Sequence, residues 1–394
     1  MIPPERDYAR FLPRRKPLAN VSKLLYTTGE ENCFLDNIDP DDTPLKRART
    51  KIRARLKEAF AGSSAALFGR VIRPRFFTQG SCAYGTLNDP AWPPQQQKDL
   101  DDGCYLPLSF LKGEKPSTAA DLFFRFIDSV LIQLTREEGW RHVKKPTCSR
   151  VVISGDSHID VPLYAIPDKE FLLMEDRAAS LNSRAEMAKA NPDIWEALPS
   201  DAVLLAHREE DWKESDPRKI HDWFVNVVDI YGERLRRDCR YLKAWRDHHR
   251  LDDHHLTSIL LMACAYCAYE AIRRPFLKDR EDERFQQVVE RLPGLLGKAV
   301  ANPACKEEDL NRMSAEERRH VVAMAEDLAS RIREAVHACD DRRRAVDLMQ
   351  AVLGARVPDR ADLVTVGSSA AVAAVMAQPR APVPQPAVER SKSG

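Results

Sequence analysis

The feature that most restricts this chain is a change of hydrophobic period near residue 215. Upstream, apolar and polar residues alternate in short runs such as RFFTQ, SRVVIS and SHIDVPLYAIP. Alternation at period two marks a strand with one buried face. Downstream, apolar residues recur every three or four positions and no convincing strand follows, the spacing of helices with one buried stripe. A first half that mixes strands with a few helices is an α+β arrangement, and the second half is expected to be wholly helical. The 394 residues leave room for both units. The expected organisation is a sheet-based core over 1–215 that includes an N-terminal helix, a helical lobe over 216–376, and a tail over 377–394. Four prolines between Pro379 and Pro386 exclude a helix or central strand there.

Local signals place the elements. RTKIRARLKEAF reads as a helix with Ile52, Leu56 and Phe60 on one face. RPRFFTQGS and KDLDDGCYLPLSFL read as strands, and Ser117 is placed to cap a helix over TAADLFFRFIDSVLIQL. SRVVIS and SHIDVPLYAIP form two strands around a tight turn at Gly155-Asp156. In the second half, Asp216 caps a helix, Pro217 suits its first turn, and Ile220, Phe224, Val227, Tyr231 and Leu235 form its apolar face. Ser314 and Glu317 form a capping box before Val321, Met324, Leu328, Ile332 and Ala335. Residues 1–45, rich in proline and charge, are expected to wrap over the surface.

Composition excludes some functions. Sixty-one basic and sixty acidic residues leave a net charge of +1, unlike a nucleic-acid coat protein. No apolar run is long enough to span a bilayer, and MIPPERDYARFLPRRKPL has no apolar centre to serve as a signal peptide. Nine scattered cysteines imply free thiols in a reducing cytosol, hence a cytoplasmic protein. Cys264 and Cys267 form a lone CxxC without a second ligand pair, so they read as packing residues. RDHHRLDDHH lacks zinc spacing and reads as a helix–helix turn.

The strongest chemical signal is Asp99-Leu100-Asp101. Residues two apart on a strand share a face, so two carboxylates sit side by side with Leu100 behind. Their repulsion raises their pKa values unless a cation relieves it, and hard oxygen ligands suit magnesium. A lone DxD reads more often as a solvated acidic run. Gly80-Ser81, after a strand, offers backbone N–H groups and a hydroxyl to a polyphosphate. Asp160 lies on the face opposite Ile159, Val161 and Leu163, so it is a mid-strand carboxylate that needs a partner, either a cation or a salt bridge. Asp99, Asp101 and Asp160 together describe a two-metal phosphoryl-transfer site. Asp102, facing the other way, reads as structural.

The run QGSCAYGTLNDPAWPPQQQKDLDDGCYLPL resembles the active-site signature of the bacterial cGAS/DncV-like nucleotidyltransferases. SHIDVPLYAIP resembles their third-carboxylate strand, and SDPRKIHDWF and RYLKAWRD resemble their helical half, most of all in the DncV-like cyclic GMP-AMP synthase branch. The match runs in order from about residue 70 to 330. It implies a bilobed, polymerase-beta-like nucleotidyltransferase core with a helical C-terminal lobe. Asp99, Asp101 and Asp160 would then be catalytic ligands of two Mg2+ ions. Gly80 and Ser81 would contact the donor triphosphate, while Gln79 and Tyr84 contact and stack on a base. Lys243 would reach the phosphates, as would Ser258. Arg150 would influence base choice, and Asp309 would contact a base edge.

The implied activity is synthesis of 3′,3′-cyclic GMP-AMP, or a related cyclic nucleotide, from ATP and GTP. The product would act on an effector in anti-phage (CBASS) defence. Some family members are joined through their C-terminal residue by a ubiquitin-like conjugation enzyme, which makes Gly394 a candidate acceptor; a plain disordered end is the equal alternative. Neither a membrane nor a long nucleic acid is expected as a partner. Rival functions are a linear oligonucleotide synthase, a nucleotidyltransferase acting on tRNA or protein, a non-catalytic nucleotide sensor, and a helical scaffold. Retention of all three carboxylates argues against the last two.

Overall fold

The computed structural model describes residues 18–29, 32–69, 71–107, 116–179, 203–210, 212–272 and 279–367. The N-terminal stretch before residue 18 and the proline-rich tail with Gly394 lie outside them. Among the described residues the core is a mixed sheet of seven strands. β2 (Arg75–Gln79) pairs with β3 (Lys98–Pro107), which runs parallel to β6 (Ser157–Ile166). β5 (Cys148–Ser154) and β4 (Arg141–Lys144) extend the sheet antiparallel from β6. β7 (Leu204–Leu205) and β8 (Lys213–Glu214) continue it from the far end of β6. One face of this sheet is apolar: Phe76, Leu100, Cys104, Val151, Ile159, Val161 and Leu163 are buried against α3 (Thr43–Phe68) and α5 (Pro116–Glu138). Helix α3 presents Ile52, Leu56 and Phe60 to that face, all fully buried, and α6 (Asp168–Ala179) follows β6. Polar residues at the alternate positions face the other way, toward the helical lobe.

The lobe has its own hydrophobic cluster. It is built on α7 (Pro217–Tyr231), α8 (Glu233–His248), α9 (Ser258–Ala271), α10 (Glu281–Val289), α11 (Leu292–Leu296), α12 (Ala315–His337) and α13 (Arg342–Leu353). Asp216 caps α7 by accepting the Arg218 N–H at 3.0 Å, and Ser314 with Glu317 caps α12 reciprocally.

Several expectations need correction. The segment expected to wrap over the surface contributes α1 (Ser22–Leu25) and α2 (Phe34–Asn37), whose Leu24, Leu25 and Phe34 are fully buried in the lobe's cluster. Asp282 holds this segment by accepting the Val21 N–H and the Ser22 hydroxyl. The stripe from Ile220 to Leu235 is not continuous: Gly232, at φ +79°, ends α7, and Leu235 belongs to α8. Ser117 lies inside α5, which begins at Pro116, so it is not the cap. The second half is not wholly helical. β9 (Ala301–Asn302) pairs with β10 (Cys305–Asp309), and β11 (Thr365–Val366) pairs with β1 (Ala19–Asn20). No helix among the described residues is long and apolar enough to cross a membrane.

Candidate active site

The parallel pairing of β3 with β6 sets Asp99 opposite His158 and Asp101 opposite Asp160. Antiparallel pairing of β5 sets Arg150 opposite Asp160. Because the side-chain period is two, all five point to the polar face of the sheet. The ligand atoms of Asp99, His158 and Asp160 lie within 4.8 Å of one another, close enough to hold one cation. Asp101 is outside that tight group. Its Oδ2 packs onto Gly80, where a Cβ would come within 2.2 Å of it, and Gly80 itself has φ +69°. Only glycine fits there. Burial, then the Asp99 and Asp160 charges, pushes the Asp101 carboxyl well above the usual carboxylate range. Arg150 makes a two-pronged ion pair with Asp160, both contacts at 2.7 Å.

On β3 the opposite face confirms the reading of Asp102. Its carboxylate is buried against the Arg53 guanidinium of α3 and the Thr78 hydroxyl, so it ties helix to sheet.

Strand β2 ends at Gln79 and runs straight into the short helix α4 (Gly80–Tyr84). The Ser81 hydroxyl accepts a 2.8 Å hydrogen bond from Lys243, whose ammonium also reaches the Thr86 carbonyl at 2.5 Å. Lys243 projects from α8 and is buried. Burial, with the nearby Arg246 charge, brings its pKa down to about 7. Ser258, at the start of α9, accepts from Arg246 at 2.8 Å. A cavity of about 290 Å³ is lined by Ser81, Asp99, Arg150, Lys243 and Ser258 together with His158. Five candidates scattered through the sequence therefore meet at one cleft between the lobes.

The remaining candidates sit differently. Gln79 donates to the Tyr164 hydroxyl at 2.9 Å inside the core. Tyr84 packs against Phe224 and His221 of α7, with ring centroids 5.9 and 6.2 Å away, and burial lifts its pKa to about 12. Asp309 accepts the backbone N–H groups of Val300 and Asn311. Its neighbours Glu308 and Leu310, with Thr257 and Ile259, line a second cavity of about 660 Å³. The first turn of α9 thus lies between the two cavities.

Sequence reasoning missed His158 and Gln97. His158 Nδ1 lies 2.9 Å from Gln97 Oε1, and both residues line the cleft. The signal was present: His158 is two residues before Asp160, hence on its face. The histidines of RDHHRLDDHH form no metal group among the described residues. Burial depresses the His248 pKa to about 4, and His255 pairs with Glu317 at 2.7 Å. All nine cysteines are free.

Two family models match the chain. Residues 74–164 match the nucleotidyltransferase domain described as cyclic GMP-AMP synthase DncV-like, and residues 232–366 match the C-terminal domain of cyclic GMP-AMP synthase. A cyclic GMP-AMP synthase of Escherichia coli (strain TW11681) is 41% identical over 187 residues, 45% of this chain and 43% of that protein. The cyclic GMP-AMP synthase of Vibrio cholerae is 34% identical over 256 residues, 60% of this chain and 56% of that protein. The alignments thus span about half the length of these relatives. In three dimensions, a form of the V. cholerae dinucleotide cyclase solved with ATP and GTP superposes with a TM-score of 0.74 at 25% identity, covering 89% of this chain and 100% of that one. The V. cholerae cyclic AMP-GMP synthase solved with the linear intermediate pppA(3′,5′)pG gives a TM-score of 0.74 at 24% identity, covering 90% and 100%.

Proposed function

This chain belongs to the DncV-like nucleotidyltransferase family, and on that premise we propose that it is a cyclic dinucleotide synthase that makes 3′,3′-cyclic GMP-AMP from ATP and GTP. The observation that carries this reading is the register of β3 on β6, which gathers Asp99, Asp101 and Asp160 on one face, with Asp99 lining the same cleft as Lys243 and Ser81. The residues fit a divalent cation: Asp99 Oδ1 and His158 Nε2 are buried without hydrogen-bond partners, and the raised Asp101 pKa is one that a bound cation would lower. Asp99, Asp101 and Asp160 would hold two Mg2+ ions, which supply charge neutralisation at the α-phosphate and the departing pyrophosphate.

The chain's own groups supply the rest. Ser81 and Lys243 bind the donor triphosphate, and the Lys243 ammonium stabilises charge as pyrophosphate leaves. Asp160 would help the acceptor 3′-hydroxyl lose its proton, which passes to solvent. The hydroxyl oxygen attacks the α-phosphorus, the α–β anhydride bond breaks, and a phosphodiester forms. The linear product then turns round so that its own triphosphate meets the remaining 3′-hydroxyl at the same residues, and the ring closes. The two cavities flanking α9 give space for two bases. Tyr84, Gln79, Arg150, Ser258 and Asp309 would contact the nucleotides, with Tyr84 turning from Phe224 to a base face.

The product would serve as a second messenger in the bacterial cytoplasm, switching on an effector against phage, with Gly394 as the acceptor for a ubiquitin-like conjugation enzyme. Purified protein given all four labelled triphosphates with Mg2+ tests the central assignment. Mass and nuclease sensitivity should identify a cyclic product containing one guanylate and one adenylate. Linear products alone would overturn ring closure, and no incorporation would overturn the enzyme.

A further inference from the structure

We propose that His158 is a nitrogen ligand to the cation held by Asp99 and Asp160, and that Gln97 fixes the imidazole tautomer that makes it one. The inference rests on the cation-dependent reading above and extends its ligand set beyond carboxylates.

Three observations lead there. First, His158 stands opposite Asp99 in the parallel ladder and shares the face of Asp160, with ligand atoms of all three inside 4.8 Å. Second, His158 is only 6% exposed, yet its Nε2 has no hydrogen-bond partner, and neither has Asp99 Oδ1. The two atoms are 3.0 Å apart but are not aligned for a hydrogen bond. Third, the other ring nitrogen is committed. Gln97 Nε2 donates to the Gly155 carbonyl at 3.0 Å, and a carbonyl can only accept, so the amide orientation is set. Gln97 Oε1 therefore faces His158 Nδ1 at 2.9 Å and accepts its proton.

A neutral imidazole with its proton on Nδ1 carries a bare lone pair on Nε2. A buried lone pair facing a carboxylate oxygen is costly, because neither acceptor is satisfied. A divalent cation held beside Asp160 satisfies both Nε2 and Asp99 Oδ1. Holding the second ring N–H with an amide or carboxylate oxygen is how protein histidines are oriented toward metals. A nitrogen donor also biases the site from magnesium toward manganese and cobalt, relative to an all-oxygen site.

Pulsed EPR on the full-length protein with Mn2+ and no nucleotide tests this. The parent should show nitrogen modulation from a directly bound imidazole. That modulation should vanish in His158→Gln and in Asp160→Asn. Gln97→Leu, which leaves the ring in place, should weaken Mn2+ binding roughly 10- to 100-fold, with the thermal melt in EDTA unchanged. A Mn2+ site that depends on Asp160 but shows no nitrogen modulation, or modulation that survives in His158→Gln, overturns the assignment of His158 and leaves the carboxylate site standing. Failure of any Mn2+ site to depend on Asp160 overturns the reading beneath it.

Discussion

Lys243 offers a quantitative test of how the cleft receives a triphosphate. Its ammonium is buried beside Ser81 and Thr86 with no carboxylate among its hydrogen-bond partners, and its pKa falls from 10.5 to about 7. That shift corresponds to about 5 kcal/mol against the charged form. Between those two values the unfolded chain binds a proton that the folded one does not. Stability of the nucleotide-free protein therefore rises with pH through that window, and the full cost is present below about pH 7.

A bound triphosphate reverses the balance, because a charge-assisted hydrogen bond favours the ammonium. Binding should therefore draw a proton from solvent: about 0.9 per site at pH 8 and about 0.1 at pH 6, from the fraction of a group with pKa about 7 that is neutral at each pH. Titration calorimetry of a non-reacting triphosphate, in buffers of different ionisation heat, reads this number directly. Saturating cation in both solutions removes any contribution from Asp101. In Lys243→Met the uptake should disappear and affinity should fall roughly 10- to 150-fold, from the loss of about 1.5–3 kcal/mol. Uptake that persists in Lys243→Met, or that does not change between pH 6 and pH 8, would refute the assignment.

Three further outcomes follow from the same geometry. Gly80→Ala should abolish nucleotide joining while leaving the circular-dichroism spectrum intact, because its Cβ would meet Asp101 Oδ2 at 2.2 Å. Cation affinity should fall as pH is lowered, because the raised Asp101 pKa lets a proton compete with the metal; Mn2+ binding isotherms that coincide at every pH at which the fold stays intact would contradict this. Asp128→Ala should cost about 3–5 kcal/mol in urea unfolding. This carboxylate is buried, which alone would raise its pKa, but its contacts with His142, Arg208 and Ser149 outweigh burial and hold it well below the usual range. Its contribution is therefore present at neutral pH and is lost as pH falls through its depressed pKa.

Much of the site was legible because strand alternation is a local rule. Leu100 buried between Asp99 and Asp101, and Ile159 and Val161 on either side of Asp160, follow from period two alone. What no local rule reveals is register. Only the pairing of β3 with β6 brings His158 against Asp99, and only the docking of α8 brings Lys243 to Ser81.

The N-terminal segment misled for a different reason. Its two four-residue helices are too short to show periodicity, and the prolines and charges around them mask the buried Leu24, Leu25 and Phe34. β10 was invisible because Cys-Lys-Glu-Glu-Asp is polar and poor in strand-favouring residues. Tyr84 and Asp309 were assigned by resemblance. In the structure their side chains are occupied by Phe224 and by backbone N–H groups, respectively.

The most direct measurement is product formation by the double variant Asp99→Asn with Asp101→Asn, compared with the parent in labelled ATP, GTP and Mg2+. Clustered carboxylates that hold the reacting cations predict loss of both linear and cyclic products at the limit of detection, with the fold and the thermal melt in EDTA retained. The same products at the parent's rate would show that phosphoryl transfer does not depend on these acids, and would contradict the account.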